Sequence, residues 1–182
     1  MMTYRLKIQA VLWLCLFSHW ALAEERQFQV EVIVFAQSAP NTELFERTEL
    51  ELESIKTYAV VKPGKKSLQN TYNRLKKAGG YRPFYYESWE ISVVSNQISL
   101  PIEILAPEEG LTGRVKVQRG NLLYALVDLE LAPTGIVEEE AFVYRLTEKR
   151  RVLLDEVHYL DHPVFGVIIK VSPVKEELLG IQ

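Results

Sequence analysis

The residue types that could perform chemistry are concentrated near the C-terminus of this 182-residue chain, between residues 150 and 166. This stretch, RRVLLDEVHYLDHPVFG, combines two adjacent arginines, two histidines, three carboxylates and a His-Pro bond. A strongly apolar segment, residues 167–171, follows it directly. Because so many polar and ionisable groups lie together, any specific function predicted from the sequence has to consider this stretch first.

His158, Asp161 and His162 form the pattern H-x-x-D-H. On a helix these side chains would share one face and could hold a zinc ion with an open coordination position, as in a small metal-dependent periplasmic hydrolase. However, Pro163 disfavours a helical conformation for His162, and on a strand His158 and Asp161 would point to opposite faces. We therefore expect no metal and no other cofactor here. The pattern favours a structural corner, in which Asp161 accepts hydrogen bonds from nearby backbone donors and Pro163 fixes the bend.

Arg150 and Arg151 extend a short basic run that begins at Lys149. Two neighbouring residues on a strand point to opposite faces, so the two arginines are expected to have different environments. We predict that one of them pairs internally, with Asp155 or Glu156 as the candidate partner. The other is predicted to be an exposed contact residue, because a guanidinium group can bind a carboxylate through two parallel hydrogen bonds.

Tyr85 and Trp89 belong to an aromatic segment, FYYESW, and strand alternation places both on one face. Exposed aromatic rings can stack on sugar rings, so the pair is a candidate glycan contact. The alternative is that at least one of the two rings belongs to the hydrophobic core.

The elements that position these groups are predicted to be mainly β-strands. One helix is expected at about residues 67–78, because Leu68, Tyr72 and Leu75 form an apolar stripe, Ser67 is a candidate N-cap and glycines follow the last turn. Gly120 and the residue after it predict a hairpin turn. The predicted strands are residues 27–35, 58–61, 83–94, 102–105, 113–119, 122–131, 141–150 and 165–172. This pattern predicts an α+β fold with a mainly antiparallel sheet and the helix packed on it.

Residues 1–23 have the organisation of a secretory signal peptide. Arg5 and Lys7 precede an apolar run from Ile8 to Trp20, and cleavage is expected between Ala23 and Glu24. The apolar run is too short to span about 30 Å of hydrocarbon as a helix. Export to the periplasm is therefore expected, with residues 24–182 forming a single α+β domain.

The expected mature chain has 159 residues and no cysteine, because Cys15 lies within the leader. A domain of that length can bury a full core without disulfides. Loss of Arg5 and Lys7 takes the formal net charge from −3 to −5. Such an acidic chain is unfavourable for binding nucleic acid or anionic membranes, and no later segment is long and apolar enough to cross a bilayer.

None of the common catalytic sequence motifs is present. The chain has no G-x-S-x-G, G-x-x-x-x-G-K-[ST], G-x-G-x-x-G or H-E-x-x-H pattern. We therefore expect a protein that is not an enzyme and has no catalytic residues.

The stretch from Arg150 to Gly166 resembles the closing signature of the CsiV family, which are exported peptidoglycan-binding proteins of Gram-negative bacteria. The segment VEVIVF at residues 30–35 resembles the opening strand of that family. Leu75 with Tyr81 and Trp89 resembles its helix followed by an aromatic strand, and residues 119–131 resemble its central hairpin.

This resemblance implies a periplasmic accessory protein that contacts the cell wall. It further implies support of an outer-membrane lipoprotein that activates a bifunctional penicillin-binding protein. A protein–protein scaffold without affinity for peptidoglycan is the remaining alternative.

Overall fold

The computed structural model describes residues 24–38, 55, 57–133 and 143–174. Two antiparallel sheets and one α-helix make up its regular structure, which confirms the predicted α+β fold. The predicted signal peptide, residues 1–23, lies outside the described residues. In chain order the elements are β1 Glu25–Gln37, β2 Lys62–Pro63, α1 Gln69–Lys77, β3 Tyr81–Val94, β4 Gln97–Ile98, β5 Ile102–Ala106, a 3-10 turn Pro107–Glu109, β6 Leu111–Arg119, β7 Leu123–Leu131, β8 Tyr144–Val152, β9 Val157–Asp161 and β10 Phe165–Pro173.

The first sheet has the strand order β2-β3-β1-β10-β9, so the N-terminal strand lies at its centre. The second sheet has the order β4-β6-β7-β8, and β5 also pairs with β6. The predicted hairpin at Gly120 joins β6 to β7, with Lys116 opposite Leu126 and Arg114 opposite Asp128. Because β8 then pairs with β7, the arginine pair lies at the edge of the second sheet.

The two sheets pack face to face through alternating apolar side chains. Val30, Val32 and Val34 of the first sheet are fully buried in one cluster with residues of the second sheet such as Val115 and Val127. The polar residues between these positions point away from the interface. The alternation of apolar and polar residues in the sequence therefore determines which face of each sheet is buried.

Helix α1 covers the opposite face of the first sheet. Leu68 and the partly buried Tyr72 and Leu75 pack on Ile33 and Phe35, which also lie on β1. Strand β1 is therefore buried on both faces. This arrangement forms three layers, with the helix outside the first sheet and the second sheet on the other side.

Ser67 does not cap the helix through its side chain, in contrast to the prediction. The N-cap residue is Leu68, and the Ser67 hydroxyl donates a hydrogen bond to the carboxylate of Glu31 instead. Glu31 Oε2 also accepts from the backbone N–H groups of Ser67 and Leu68, at 2.7 and 3.0 Å. A buried carboxylate on β1 thus satisfies backbone donors at the start of the helix, a place that favours negative charge.

The strand predictions differ from the structure at residues 58–61 and at the unpredicted strands β2, β4 and β9. Residues 58–61 form no strand. The Ala59 backbone N–H donates a hydrogen bond to Pro101 O, and the short pairing with β3 begins only at Lys62. Strand β9 was not predicted; the corner expected at Asp161, His162 and Pro163 begins at its last residue. Within the described residues, no helix is both long and apolar enough to cross a membrane.

Candidate binding surface

The histidine-rich signature folds into β9 and the turn that leads to β10. His158 is on β9, and its Nε2 atom accepts a hydrogen bond from the backbone N–H of Leu153 at 3.0 Å. Asp161 ends the strand, and its Oδ1 atom accepts from the side chains of Gln37 at 3.0 Å and Tyr159. The corner therefore exists, but side chains take the place of the backbone donors that the sequence predicted for Asp161.

His162 lies in the turn between β9 and β10 and packs among aromatic rings. Its ring centre is 4.9 Å from that of Phe165 and 6.0 Å from that of Tyr144. Partial burial lowers the pKa of His162, against the opposing charge of Asp161. The ring is therefore neutral at neutral pH, and its Nδ1 atom accepts a hydrogen bond from Val164 N at 3.2 Å.

His158, Asp161 and His162 do not converge on a common point. Strand alternation places His158 and Asp161 on opposite faces of β9, and each imidazole accepts a backbone N–H. In the part of the chain that the structure describes, no group of three or more His, Cys, Asp and Glu side chains could hold a metal ion. The contacts of the three residues are those of a stabilised corner.

Gly166, at the end of the signature, has to be glycine because two aromatic rings pack against it. Phe35 and Tyr159 stack with ring centres 6.0 Å apart. A Cβ atom on Gly166 would overlap Phe35 Cζ and would lie 2.8 Å from Tyr159 Cε2. The conformation of the glycine is ordinary, so the close approach of the rings is what excludes a side chain.

We expect Gly166→Ala to lower the free energy of unfolding by about 1–3 kcal/mol, because the added methyl group forces two packed rings apart. Thermal unfolding measures the change. Gly79→Ala is the matched control, since a Cβ atom there meets nothing within 4 Å. Equal melting temperatures for the two variants would contradict this packing.

Arg150 and Arg151 lie on opposite faces of β8, as alternation predicts. The Arg150 guanidinium forms an ion pair with Glu148, with 2.6 Å between Nη2 and Oε1. Its partner is therefore not Asp155 or Glu156, because Glu148 is two residues away on the same face of the same strand. Arg151 is exposed and lies opposite Tyr124 on the outer face of the second sheet.

The outer face of the second sheet carries an excess of basic side chains. The registers of β5, β6, β7 and β8 place five basic side chains on it and three acidic ones, Glu103, Asp128 and Glu130. This contrasts with the formal net charge of −3 for the whole chain. We call this surface the cationic face; its basic residues are Arg114, Lys116, Arg145, Lys149 and Arg151.

Two of the five cations are held by Asp128. Arg114 Nη2 lies 2.9 Å from Asp128 Oδ2, and Arg145 donates from Nε and Nη2 at 2.9 and 3.2 Å. Thr147 adds a third hydrogen bond at 3.0 Å. Although burial by itself opposes ionisation, the hydrogen bonds from Arg145 and Thr147 and the nearby arginine charges lower the pKa of Asp128. The Asp128 carboxylate therefore stays ionised at neutral pH and, with its partners, fixes one end of the cationic face.

The other three cations, Lys116, Lys149 and Arg151, form no ion pair with any described residue. Lys149 Nζ lies 4.7 Å from the centre of the Tyr124 ring. Lys116 and Lys149 flank Leu126 in one row across the three strands, beside a shallow hollow of about 210 Å³. Unpaired cations around a small apolar floor form a surface suited to an anionic ligand that carries short alkyl groups.

Tyr85 and Trp89 share a face of β3, with ring centres 6.4 Å apart. That face points to the second sheet, and both partly buried rings pack against the core between the sheets. Burial, followed by the charges of Glu87 and Glu103, raises the pKa of Tyr85. The pair therefore packs as core and does not offer an open, flat platform for a sugar.

A larger hollow of about 410 Å³ lies at the end of the sandwich near the signature. Its lining includes Gln37, Tyr144 and Val164, and also Arg82. Glu109 holds Arg82 through both of its carboxylate oxygens, at 2.8 and 2.9 Å. The guanidinium of Arg82 is thus already paired with Glu109. The cationic face is therefore the better candidate for the binding surface.

The structure brings together residues that the sequence did not connect. Arg151 and Lys149 were part of the predicted basic run, but Lys116 and Tyr124 were not candidates. The sequence contained a sign of them: polar and apolar residues alternate along β6, and the turn at Gly120 fixes the register of the hairpin. Extending that register to β8 required the fold.

A model of the protein family described as peptidoglycan-binding protein, CsiV, matches residues 46–174 of the chain. The match covers the helix, most strands of both sheets, the cationic face and the histidine-rich signature. No curated protein and no solved structure matches the chain.

Proposed function

Because the chain belongs to the CsiV family of peptidoglycan-binding proteins, we propose that it is an exported accessory protein that binds peptidoglycan in the periplasm without catalysing a reaction. The observation that carries this proposal is the family match over residues 46–174. The structure adds a surface suited to the task, since Lys116, Lys149 and Arg151 of the cationic face form no ion pair with any described residue, on an otherwise acidic chain. Peptidoglycan is an acidic polymer, so this charge favours association.

The proposed non-catalytic role is supported by how the ionisable groups are used. The polar side chains of the signature take part in hydrogen bonds that stabilise the corner. The buried carboxylate of Glu31 is surrounded by hydrogen-bond donors of β1, β3 and the start of α1. These contacts support structural roles for the residues that would otherwise be the first candidates for acid–base or metal chemistry.

Retention on purified sacculi tests peptidoglycan binding. The domain from Glu24 onward is incubated with sacculi, and the bound fraction is measured after sedimentation. We expect retention well above that of an unrelated periplasmic protein of similar size and charge. Retention equal to that of the unrelated protein would contradict the proposal and favour a scaffold without affinity for peptidoglycan.

We further propose that the protein supports a bifunctional penicillin-binding protein through the outer-membrane lipoprotein that activates it. This part is supported by the resemblance of the signature and the central hairpin to the CsiV family. Crosslinking in living cells, followed by mass spectrometry of the captured proteins, tests it. Recovery of the lipoprotein is the expected result, and its absence while other envelope proteins are captured would contradict this part alone.

A further inference from the structure

The cationic face divides into a held half and an available half. Asp128 engages Arg114 and Arg145, and both arginine side chains are less than one-fifth exposed. Lys149 and Arg151 are exposed and Lys116 is partly exposed. The positive charge that a ligand can reach is therefore at the Lys149 and Arg151 end of the face.

The geometry of this end is fixed by strand pairing. Lys116, Leu126 and Lys149 form one row across three strands, and neighbouring strands lie about 4.8 Å apart. The next row contains Gln118, Tyr124 and Arg151. Two residues along a strand span about 7 Å, so the three cations surround the Leu126 and Tyr124 side chains within the reach of one short peptide.

The chemistry of this end favours a carboxylate over a sugar. A sugar ring stacks on an exposed aromatic face, but the Lys149 ammonium lies over the ring of Tyr124. The guanidinium of Arg151 has no carboxylate partner among the described residues and offers parallel N–H donors with the spacing of two carboxylate oxygens. Peptidoglycan stem peptides carry free carboxylates and the small side chains of alanine, which match the cations and the apolar floor respectively.

We propose that the cationic face recognises the free carboxylates of peptidoglycan stem peptides; this inference rests on the proposed function. Arg151 binds a carboxylate through its guanidinium fork, and Lys116 and Lys149 supply point charges on either side of Leu126. The glycan strands contribute no stacking contact on this face. The specificity of the protein is therefore for the peptide portion of peptidoglycan.

Sacculi with chemically neutralised carboxylates test this proposal. One portion of sacculi is treated with a carbodiimide and methylamine, which converts the carboxylates to neutral amides, and the other portion is left untreated. Retention of the wild-type domain and of the variants Arg151→Lys and Arg150→Lys is measured on both at physiological ionic strength. Arg150→Lys is the matched control, because Arg150 is on the other face of β8 and pairs with Glu148.

We expect amidation to lower the affinity of the wild-type domain for sacculi at least about tenfold, and Arg151→Lys to lower it several-fold on untreated sacculi. Arg150→Lys should retain wild-type affinity. Thermal unfolding of each variant checks that its fold is intact. A loss confined to the amidated sacculi and to the Arg151 variant supports recognition of carboxylates by a guanidinium fork.

Equal retention on amidated and untreated sacculi would overturn carboxylate recognition and leave peptidoglycan binding intact. Absence of retention on untreated sacculi would overturn the proposed function itself, and this inference with it. Vesicles of phosphatidylglycerol are the third arm of the experiment. Wild-type binding to these vesicles as strong as to sacculi, and equally sensitive to Arg151→Lys, would also overturn the inference, because the face would then recognise any anionic surface.

Discussion

Replacing Glu31 by alanine is expected to lower the free energy of unfolding by about 3–5 kcal/mol. The Glu31 side chain is 1% exposed. Its carboxylate accepts hydrogen bonds from Gln29 Nε2 at 2.9 Å and from the Tyr86 hydroxyl at 2.8 Å, besides those from Ser67 and Leu68. Alanine leaves these buried donors without their shared acceptor, which costs more than the bonds contribute when formed.

The position of Glu31 in the fold explains why the effect extends beyond one contact. The carboxylate links central strand β1, neighbouring strand β3 and the start of α1. Burial and the hydrogen bond to Glu31 raise the pKa of Tyr86, so its hydroxyl remains a donor at all physiological pH values. Loss of Glu31 therefore weakens the attachment of the helix to the first sheet.

Chemical denaturation of the wild type and of Glu31→Ala measures this difference. Glu87→Ala is the matched control, because Glu87 is on the adjacent strand but is half exposed and pairs with Lys66 at 3.2 Å. An exposed pair of this kind contributes at most about 1 kcal/mol. Unfolding of both variants at the same denaturant concentration would contradict this structural role of Glu31.

Reversing two charges on the cationic face is expected to lower affinity for sacculi more than tenfold, because attraction to an acidic polymer becomes repulsion. The variant Lys149→Glu with Arg151→Glu makes this change on two exposed side chains that have no described carboxylate partner. Its stability should remain close to that of the wild type. Co-sedimentation with sacculi measures affinity, and thermal unfolding measures stability.

The matched control reverses two charges elsewhere. Lys76 and Lys77 are exposed in the last turn of α1, on the opposite side of the first sheet from the second sheet. The variant Lys76→Glu with Lys77→Glu changes the net charge by the same amount and should retain most of its affinity. Equal losses in the two double variants would show that net charge, and not the cationic face, determines retention.

The fold class followed from the sequence because alternation and turn chemistry are local properties. The turn at Gly120 and the alternation of Val115 and Val117 determine both the hairpin and its inner face. The division into two sheets did not follow, since alternation within a strand does not say which strands become neighbours. The burial of β1 on both faces depends on the helix and on the second sheet, which come from distant parts of the chain.

The candidate site was predictable only where its residues are local. The opposite orientation of Arg150 and Arg151 followed from their adjacency on one strand. Glu31 was missed because a polar residue between valines in a strand is typical of a solvent-facing position, and its donors on Ser67, Leu68 and Tyr86 come 36 or more residues later. The cationic face as a whole was not predicted. Its basic residues lie on β6 and β8, which are brought onto one face only because both pair with β7.

Mapping of backbone amide chemical shifts by NMR, during addition of soluble peptidoglycan fragments that carry stem peptides, tests peptidoglycan binding by the cationic face most directly. We expect the shift changes to cluster on β6, β7 and β8 around Lys116, Tyr124, Leu126, Lys149 and Arg151. Saturable changes confined to that surface would agree with the proposed mode of binding. Changes that cluster instead at the histidine-rich corner around His162, or on helix α1, would contradict it.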